Sequence, residues 1–190
     1  ILIRSDDVKK QILLISIFCI FCFQSVGFSK EIYNINGRVS ATTSDSWYYS
    51  SINDNEFMKT IFCIELNHDT VVALKQFKNK VKCKSFANLT NEEKSIFRDL
   101  AIASTTEALR QRGYNVYINK VDIGKNMVSV GYTLENIDGS FFAFELYTVK
   151  DFVCYCLIST GSEVTKYESF SVMKTLKADG LPFNEWAGIL

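Results

Sequence analysis

His68 is the side chain in this sequence best suited to acid–base chemistry, and it is the only histidine of the chain. A cysteine nucleophile would have to use it as the base, and Cys63 is the nearest thiol in sequence. The two residues flank the end of an expected strand, where their side chains point in different directions. We therefore expect His68 to lie exposed in a hairpin loop, and a thiol enzyme is the less favoured hypothesis.

Glu65, His68 and Asp69 together offer donor atoms that a metal ion accepts. A metal site normally shows a second histidine or a recognised ligand spacing, and this stretch has neither. Asn-His-Asp is also ordinary turn composition. The sequence therefore predicts no metal site, and nothing in it requires a cofactor.

The N-terminal part has the order of a secretory signal peptide: Lys9 and Lys10, then an apolar run over residues 12–23, then small residues up to Ser29. The apolar run is shorter than the roughly 20 residues that cross a bilayer, so cleavage is favoured over an uncleaved anchor. We predict a signal peptide over residues 1–29 and an extracytoplasmic protein, either periplasmic or secreted.

Beyond that segment the chain keeps an even number of cysteines, which in an exported protein suggests disulfides: Cys63, Cys83, Cys154 and Cys156. Cys154 and Cys156 lie so close together in an expected strand that bridging them is near the geometric limit. Each would pair more readily with Cys63 or Cys83. One alternative is that some of the cysteines are small buried apolar residues. A redox-active Cys154–Cys156 dithiol is the other, although it lacks the helix N-terminus that lowers a thiol pKa.

Composition indicates a single domain over residues 30–180, followed by an apolar tail over residues 181–190. Hydrophobic residues make up 47% of the 190 residues, enough for a sizeable core. Basic and acidic residues balance at 21 each, so no net field attracts nucleic acid or an anionic membrane surface. We expect no nucleic-acid partner, and membrane contact only through an uncleaved N-terminal segment.

One local basic series stands out against this balance: Lys75, Lys78, Lys80, Lys82 and Lys84. The last four alternate with other residues, as an exposed strand face requires. Edge strands commonly carry lysines that discourage aggregation. We interpret the series as a solvated sheet edge, with an anionic ligand or partner as the alternative.

The periodicity of the apolar residues predicts the early strands and one long helix. Strands are predicted over residues 33–41, 47–49 and 57–66, while residues 70–86 fit a strand or a short helix. Thr90 and Glu93 have capping-box spacing and begin an amphipathic helix that ends at Gly113. Its apolar face is predicted to comprise Ile96, Phe97, Leu100, Ala101, Ser104 and Ala108.

Short turns join the strands that follow this helix, predicted over residues 114–122, 127–135, 140–148 and 152–159. Both faces of these strands are apolar, so both should be at least partly covered. Thr165 and Glu168 then cap a final helix that ends at Gly180, with Phe170, Met173 and Leu176 pointing inward.

This order predicts an α+β fold. An antiparallel β-sheet of about six strands, including a C-terminal four-stranded meander, is flanked by helices in an α/β/α sandwich. In this respect the chain resembles the Mog1/PsbP-like family. The features that carry the resemblance are the early strand leading into Ser46-Trp47, the long helix, the meander and the closing helix. Members often have a proline shortly before the early tryptophan, and residues 42–45 contain none. The resemblance implies a non-enzymatic accessory or partner-binding protein, and it assigns no catalytic residues.

Aromatic residues supply the candidate partner surface: Trp47, Tyr48, Tyr49, Phe183 and Trp186. Such residues concentrate at interaction hot spots, although they also form cores. We therefore expect an exported, non-enzymatic accessory protein that binds an unknown protein partner. The main rival is a small-molecule or lipid carrier with a pocket lined by Tyr132, Phe142 and Phe144.

Overall fold

The structure is a computed structural model, and it describes residues 29–51, 54 and 56–187. Within them the chain forms a seven-stranded and a four-stranded antiparallel sheet and three α-helices. The predicted signal peptide and the last three residues of the apolar tail lie outside the described residues, apart from Ser29. No helix of the described part is long and apolar enough to cross a membrane.

The strands are numbered in chain order: β1 Ser29–Tyr33, β2 Val39–Ser44, β3 Trp47–Tyr49, β4 Met58–Leu66, β5 Thr70–Lys80, β6 Asn115–Ile123, β7 Val128–Asn136, β8 Gly139–Lys150, β9 Val153–Ser162, β10 Lys177–Ala178 and β11 Leu181–Pro182. The helices are α1 Asn91–Arg110, α2 Lys166–Thr175 and α3 Phe183–Trp186. A short 3-10 turn, Phe86–Asn88, precedes α1.

The large sheet has the strand order β3-β4-β5-β9-β8-β7-β6. Its second half is the predicted four-stranded meander, because β6 pairs with β7, β7 with β8, and β8 with β9. β5, which the sequence left open between strand and helix, is a strand that pairs with β4 on one side and β9 on the other. The α+β prediction is confirmed, with seven strands in this sheet.

The second sheet, of order β1-β2-β10-β11, was not predicted. The single strand expected over residues 33–41 is a hairpin that turns at Gly37, where φ is 66°. The predicted end of the last helix at Gly180 is wrong, because α2 stops at Thr175. Asp179 and Gly180 instead close the β10–β11 hairpin with positive φ at both residues, for which Asp-Gly is a favoured sequence.

Two hydrophobic cores lie on opposite faces of the large sheet, which confirms that both faces are covered. One core lies between the large sheet, the small sheet and α2, and its members include Trp47, Phe62, Ile64, Leu74 and Leu157. The other lies under α1 and includes Phe86, Val128, Val130, Tyr132 and Tyr147. Apolar residues on both faces of each central strand are therefore required by the architecture.

α1 begins at the predicted capping box: Glu93 N–H donates to Thr90 Oγ1 at 3.2 Å, and Thr90 N–H donates to Glu93 Oε2 at 2.8 Å. Its predicted apolar face is partly wrong, because Ile96 and Leu100 are exposed. Phe97 and Ala101 do pack against the sheet, together with apolar residues that lie further around the helix.

The capping box predicted for α2 is absent. Thr165 Oγ1 lies 2.6 Å from Thr70 Oγ1 and donates to Ser162 O at 3.0 Å, so it does not cap the helix. Glu168 accepts from Trp47 Nε1 at 2.8 Å. Both side chains therefore bond α2 to the strands. Neither accepts a hydrogen bond from the backbone N–H groups in the first turn of α2.

Substitution of Gly161 would test how tightly β9 packs against β5. A Cβ at this position would lie 2.8 Å from Thr70 Cγ2, closer than side chains in proteins approach. We expect Gly161→Ala to lower the free energy of unfolding by about 1–3 kcal/mol, measured by urea denaturation.

Gly131→Ala is the matched control in β7, since its Cβ would meet Phe144 Cδ2 at an ordinary 3.7 Å. It should be neutral or stabilise by up to about 1 kcal/mol. Equal destabilisation by the two substitutions would contradict the close-contact explanation.

Candidate partner-binding cleft

A cleft of about 370 Å³ opens where the β1–β2 hairpin meets the ends of three strands of the large sheet. The hairpin loop forms one side, and β4, β5 and β9 form the floor. The C-terminal segment closes the other side. We call it the Arg38 cleft; its polar and aromatic lining includes Arg38, Tyr49, Lys59, Gln76, Tyr155 and Asp179.

The hairpin loop at the mouth of the cleft is held by Asn34. Its Oδ1 accepts from the N–H groups of Arg38 at 2.9 Å and Val39 at 3.1 Å, and its Nδ2 donates to Ile61 O at 3.3 Å. These bonds fix the loop in one shape, and Gly37 supplies the positive φ of the turn. The loop presents Ile35 with its side chain 90% exposed.

An ion pair joins the two sides of the cleft. Arg38 Nε donates to Asp179 Oδ1 at 2.7 Å, and Asp179 N–H donates to Arg38 O at 2.7 Å. Asp179 Oδ2 also accepts from Trp186 Nε1 at 2.9 Å. The bond from Arg38, and next the bond from Trp186, lower the pKa of the Asp179 carboxyl, so it stays ionised at neutral pH. The Arg38 side chain remains 70% exposed.

The aromatic side of the cleft is built by the C-terminal segment. Trp186 packs edge-on against Tyr155 with ring centroids 4.8 Å apart, and stacks with Phe183 at 5.7 Å. Lys150 Nζ lies 4.5 Å from the Trp186 ring and donates to its carbonyl at 2.7 Å. The apolar tail is thus packed onto the domain as far as Ala187.

The predicted aromatic surface is not a single patch. Trp47 is fully buried in the core and Phe183 is also buried, so neither is free to contact a partner in this conformation, whereas Trp186 is largely buried but lines the Arg38 cleft. Tyr49 is exposed and lines the Arg38 cleft. Tyr48 lies on the opposite face of the sheet, because neighbouring residues of a strand alternate.

His68 lies in the β4–β5 hairpin loop with its side chain 87% exposed. Its Nδ1 is 2.6 Å from Tyr48 Oη, which donates to Glu65 Oε2 at 3.0 Å. No group of three metal-ligating side chains occurs in the part of the chain that the structure describes. Cys63 is buried in β4, and burial raises its thiol pKa to about 12, so the reactive thiolate is scarce at neutral pH.

The four cysteines of the domain are free thiols in this structure, which contains none of the predicted disulfides among the residues it describes. Burial raises the pKa of Cys154 to about 12 and that of Cys156 well above its ordinary value. Cys83 is only half-buried, and desolvation raises its pKa as well. Cys63, Cys154 and Cys156 therefore act as small apolar core residues, the alternative that the sequence left open for some of the cysteines.

The lysine series does not mark a sheet edge. β5 lies between β4 and β9, because Val71–Gln76 pairs with β9 while the other side pairs with β4. Lys75 is half-buried among its neighbours, whereas the other four are exposed: Lys78, Lys80, Lys82 and Lys84. These four lie at the end of β5 and in the loop after it, where the sheet stops.

The proposed carrier pocket is also divided by the sheet. Phe142 and Phe144 pack against Phe170 of α2, with centroids 5.6 and 5.3 Å apart. Tyr132 lies in the core under α1 on the other face. The three residues therefore do not line one cavity.

A buried polar group that the sequence analysis missed is Glu145 in β8. Its carboxylate accepts hydrogen bonds from Tyr147 Oη at 2.9 Å, Thr105 Oγ1 at 3.0 Å and Tyr132 Oη at 3.3 Å. Burial nevertheless raises the pKa of Glu145, since the low-dielectric surroundings disfavour its charge more than these bonds favour it. In the sequence, the only sign of this buried group was a single carboxylate within an otherwise apolar strand.

These layers define the fold: an antiparallel sheet with a long helix on one face, and a helix with a second small sheet on the other, which is the Mog1/PsbP-like fold. Cyanobacterial PsbP (CyanoP) from Synechocystis sp. PCC 6803 has this fold. Its solution structure matches 81% of this chain and 94% of its own, with a TM-score of 0.53 and 8% sequence identity. The resemblance predicted from the sequence is confirmed at the level of the fold.

A structure from Bacteroides thetaiotaomicron VPI-5482 is also similar, over 78% of this chain and 48% of that chain, with a TM-score of 0.41 and 13% identity. Comparison of the sequence with protein-family models and with curated proteins gives no match.

Glu145 makes stability depend on pH. Its pKa is raised in the folded state, so its protonated form contributes stability that is lost as pH rises from about 4.3 through the folded pKa. Glu145→Gln has no such titration. We expect the free energy of unfolding of the variant, relative to the natural protein, to increase from pH 4 to pH 8 in denaturant titrations.

Glu135→Gln, at an exposed position of β7, is the control and should show no such trend. A difference between Glu145→Gln and the natural protein that stays constant with pH would contradict this assignment.

The cysteines should differ in reactivity. Among the four described thiols, we expect iodoacetamide to modify Cys83 first in the folded protein, because the other three are buried. Cys63, Cys154 and Cys156 should react only after unfolding, as measured by peptide mass mapping. Recovery of a disulfide-linked pair of peptides from the native protein would refute the free-thiol assignment.

Proposed function

We propose that this chain is an exported, non-enzymatic accessory protein that binds another protein through the Arg38 cleft. The observation that carries the proposal is the ordered loop held by Asn34. It places an almost fully exposed Ile35 and the exposed Arg38 guanidinium beside an aromatic-walled cleft. Export rests on the leader-like sequence of residues 1–29.

The chemistry of the cleft suits recognition of a protein side chain. Interface hot spots combine apolar anchors, arginine and aromatic residues in one place, and Ile35, Arg38, Tyr49 and Tyr155 provide this combination. The ion pair to Asp179 and the bonds of Asn34 preorganise the loop, so little conformational entropy is lost on binding.

A role in binding rather than catalysis is supported by the state of the nucleophile candidates. The Cys63 thiol is buried with a raised pKa, and His68 is exposed in a hairpin loop where its ring pairs with Tyr48. The resemblance to Mog1/PsbP-like proteins points in the same direction.

A small-molecule carrier is the second candidate, because the cleft volume of about 370 Å³ falls within the range of ligand pockets. The ligand would then bind in the Arg38 cleft. Native mass spectrometry of the purified protein should show a retained molecule if this alternative holds.

Ile35→Asp and Arg38→Glu test the partner proposal, because both side chains are exposed and their replacement leaves the core intact. The immobilised protein would first capture partners from the extracytoplasmic fraction of its source. Titration calorimetry with the purified partner should then show binding about tenfold weaker or more for each variant.

Ile137→Asp is the control, since Ile137 is a fully exposed isoleucine in the β7–β8 turn at the opposite end of the sheet. It should bind as the natural protein does. Unchanged affinity for both cleft variants would contradict the proposal, as would a loss of affinity that Ile137→Asp shares.

A further inference from the structure

The end of the large sheet where β5 stops combines exposed lysines with exposed aromatic rings that the Arg38 cleft does not use. We call it the basic end and define it by six residues: Phe57, Lys78, Lys80, Lys82, Lys84 and Phe152. The Phe57 and Phe152 side chains are 59% and 43% exposed.

Backbone hydrogen bonds hold these residues together. Lys78 N–H donates to Phe57 O at 2.9 Å, which places Phe57 at the beginning of the lysine segment. Val81 N–H donates to Phe152 O at 2.8 Å, and Phe152 N–H donates to Lys84 O at 3.3 Å. The lysine segment therefore runs between two exposed phenylalanines along one end of the sheet.

The turn that carries Phe152 has an unfavourable sequence. Asp151 and Phe152 close the β8–β9 hairpin with φ of 50° and 66°, a conformation that favours glycine at the second position. The β10–β11 hairpin of the same chain uses Asp179-Gly180 at φ of 52° and 79°. A large aromatic residue in this conformation is strained, and such strain concentrates at functional sites.

The segment from residue 78 to residue 84 is positively charged, because it holds four lysines and no acidic residue. Lys80, Lys82 and Lys84 form no ion pair with any described residue. Asp151 in the same turn, Glu93, whose charge acts on Cys83, and Glu56, which directly precedes Phe57, are acidic residues at this end. The formal net charge of the whole chain is zero, so the lysine cluster is a local feature that the net charge does not reveal.

We propose that the basic end binds the surface of an anionic lipid bilayer, with the lysines at the headgroups and Phe57 and Phe152 inserted at the interface. Clustered lysines are attracted to anionic headgroups, and exposed aromatic rings beside them bury apolar area in the acyl boundary. A bilayer takes up separate protruding rings independently, whereas a protein partner would need a matching pocket for each. This contact is additional to any made by residues 12–23.

Vesicle binding by the full chain tests the proposal. Sedimentation would compare vesicles of equal parts phosphatidylcholine and phosphatidylglycerol with vesicles of phosphatidylcholine alone. We expect preference for the anionic vesicles, and binding about tenfold weaker or more for Lys82→Glu/Lys84→Glu. Phe152→Gly should weaken binding about tenfold while the protein stays folded, because glycine relieves the strained turn.

Two controls match these variants at the opposite end of the sheet. Arg110→Glu/Arg112→Glu changes the net charge equally, and Ile137→Gly removes an exposed apolar side chain from a short turn; both should bind like the natural protein. Hydrogen exchange should slow over residues 78–84 and 150–153 on addition of anionic vesicles, and stay unchanged over residues 136–139. This local change in exchange distinguishes binding through the basic end from insertion of residues 12–23 into the bilayer.

Three results would overturn the proposal. The first is equal binding to neutral and anionic vesicles that neither basic-end variant alters. The second is loss of binding to the same extent in the controls. The third is binding of an oligonucleotide or an acidic peptide at the basic end without binding to vesicles.

Discussion

The pairing of β5 with β9 is the interaction on which the rest of this structure depends. It runs from Val71 opposite Thr160 to Gln76 opposite Tyr155, and it joins the β3–β5 segment to the meander in one sheet. The register places Leu74 and Leu157 in the core under the small sheet. The floor of the Arg38 cleft uses the same pairing, because Gln76 and Tyr155 line it side by side.

Features fixed by neighbouring residues could be predicted from the sequence. The capping box of α1 involves Thr90 and Glu93 alone, and the hairpins of the meander are set by two to four turn residues. Apolar residues on both faces of β8 indicated two covered faces, and the structure places a core on each. These local signals were sufficient for the fold class.

Features fixed by distant contacts could not be predicted. Trp47, Phe183 and Trp186 have the composition of a binding surface, but the small sheet and α2 bury them. An even number of cysteines says nothing about whether the thiols are brought together. The Arg38 cleft depends on Arg38 meeting Asp179 across most of the chain, and Glu145 gains Thr105 as its third hydroxyl partner only when α1 packs on the sheet.

The small sheet joins the two ends of the domain, since Val39 and Ser40 in β2 pair with Ala178 and Lys177 in β10. β2 therefore gains its second neighbour only when nearly the whole chain is present. Contacts between residues so far apart in sequence form slowly, because the long loop must close before they contribute stability. We therefore expect the meander, whose strands follow one another directly, to assemble before the sheet that supports the Arg38 cleft.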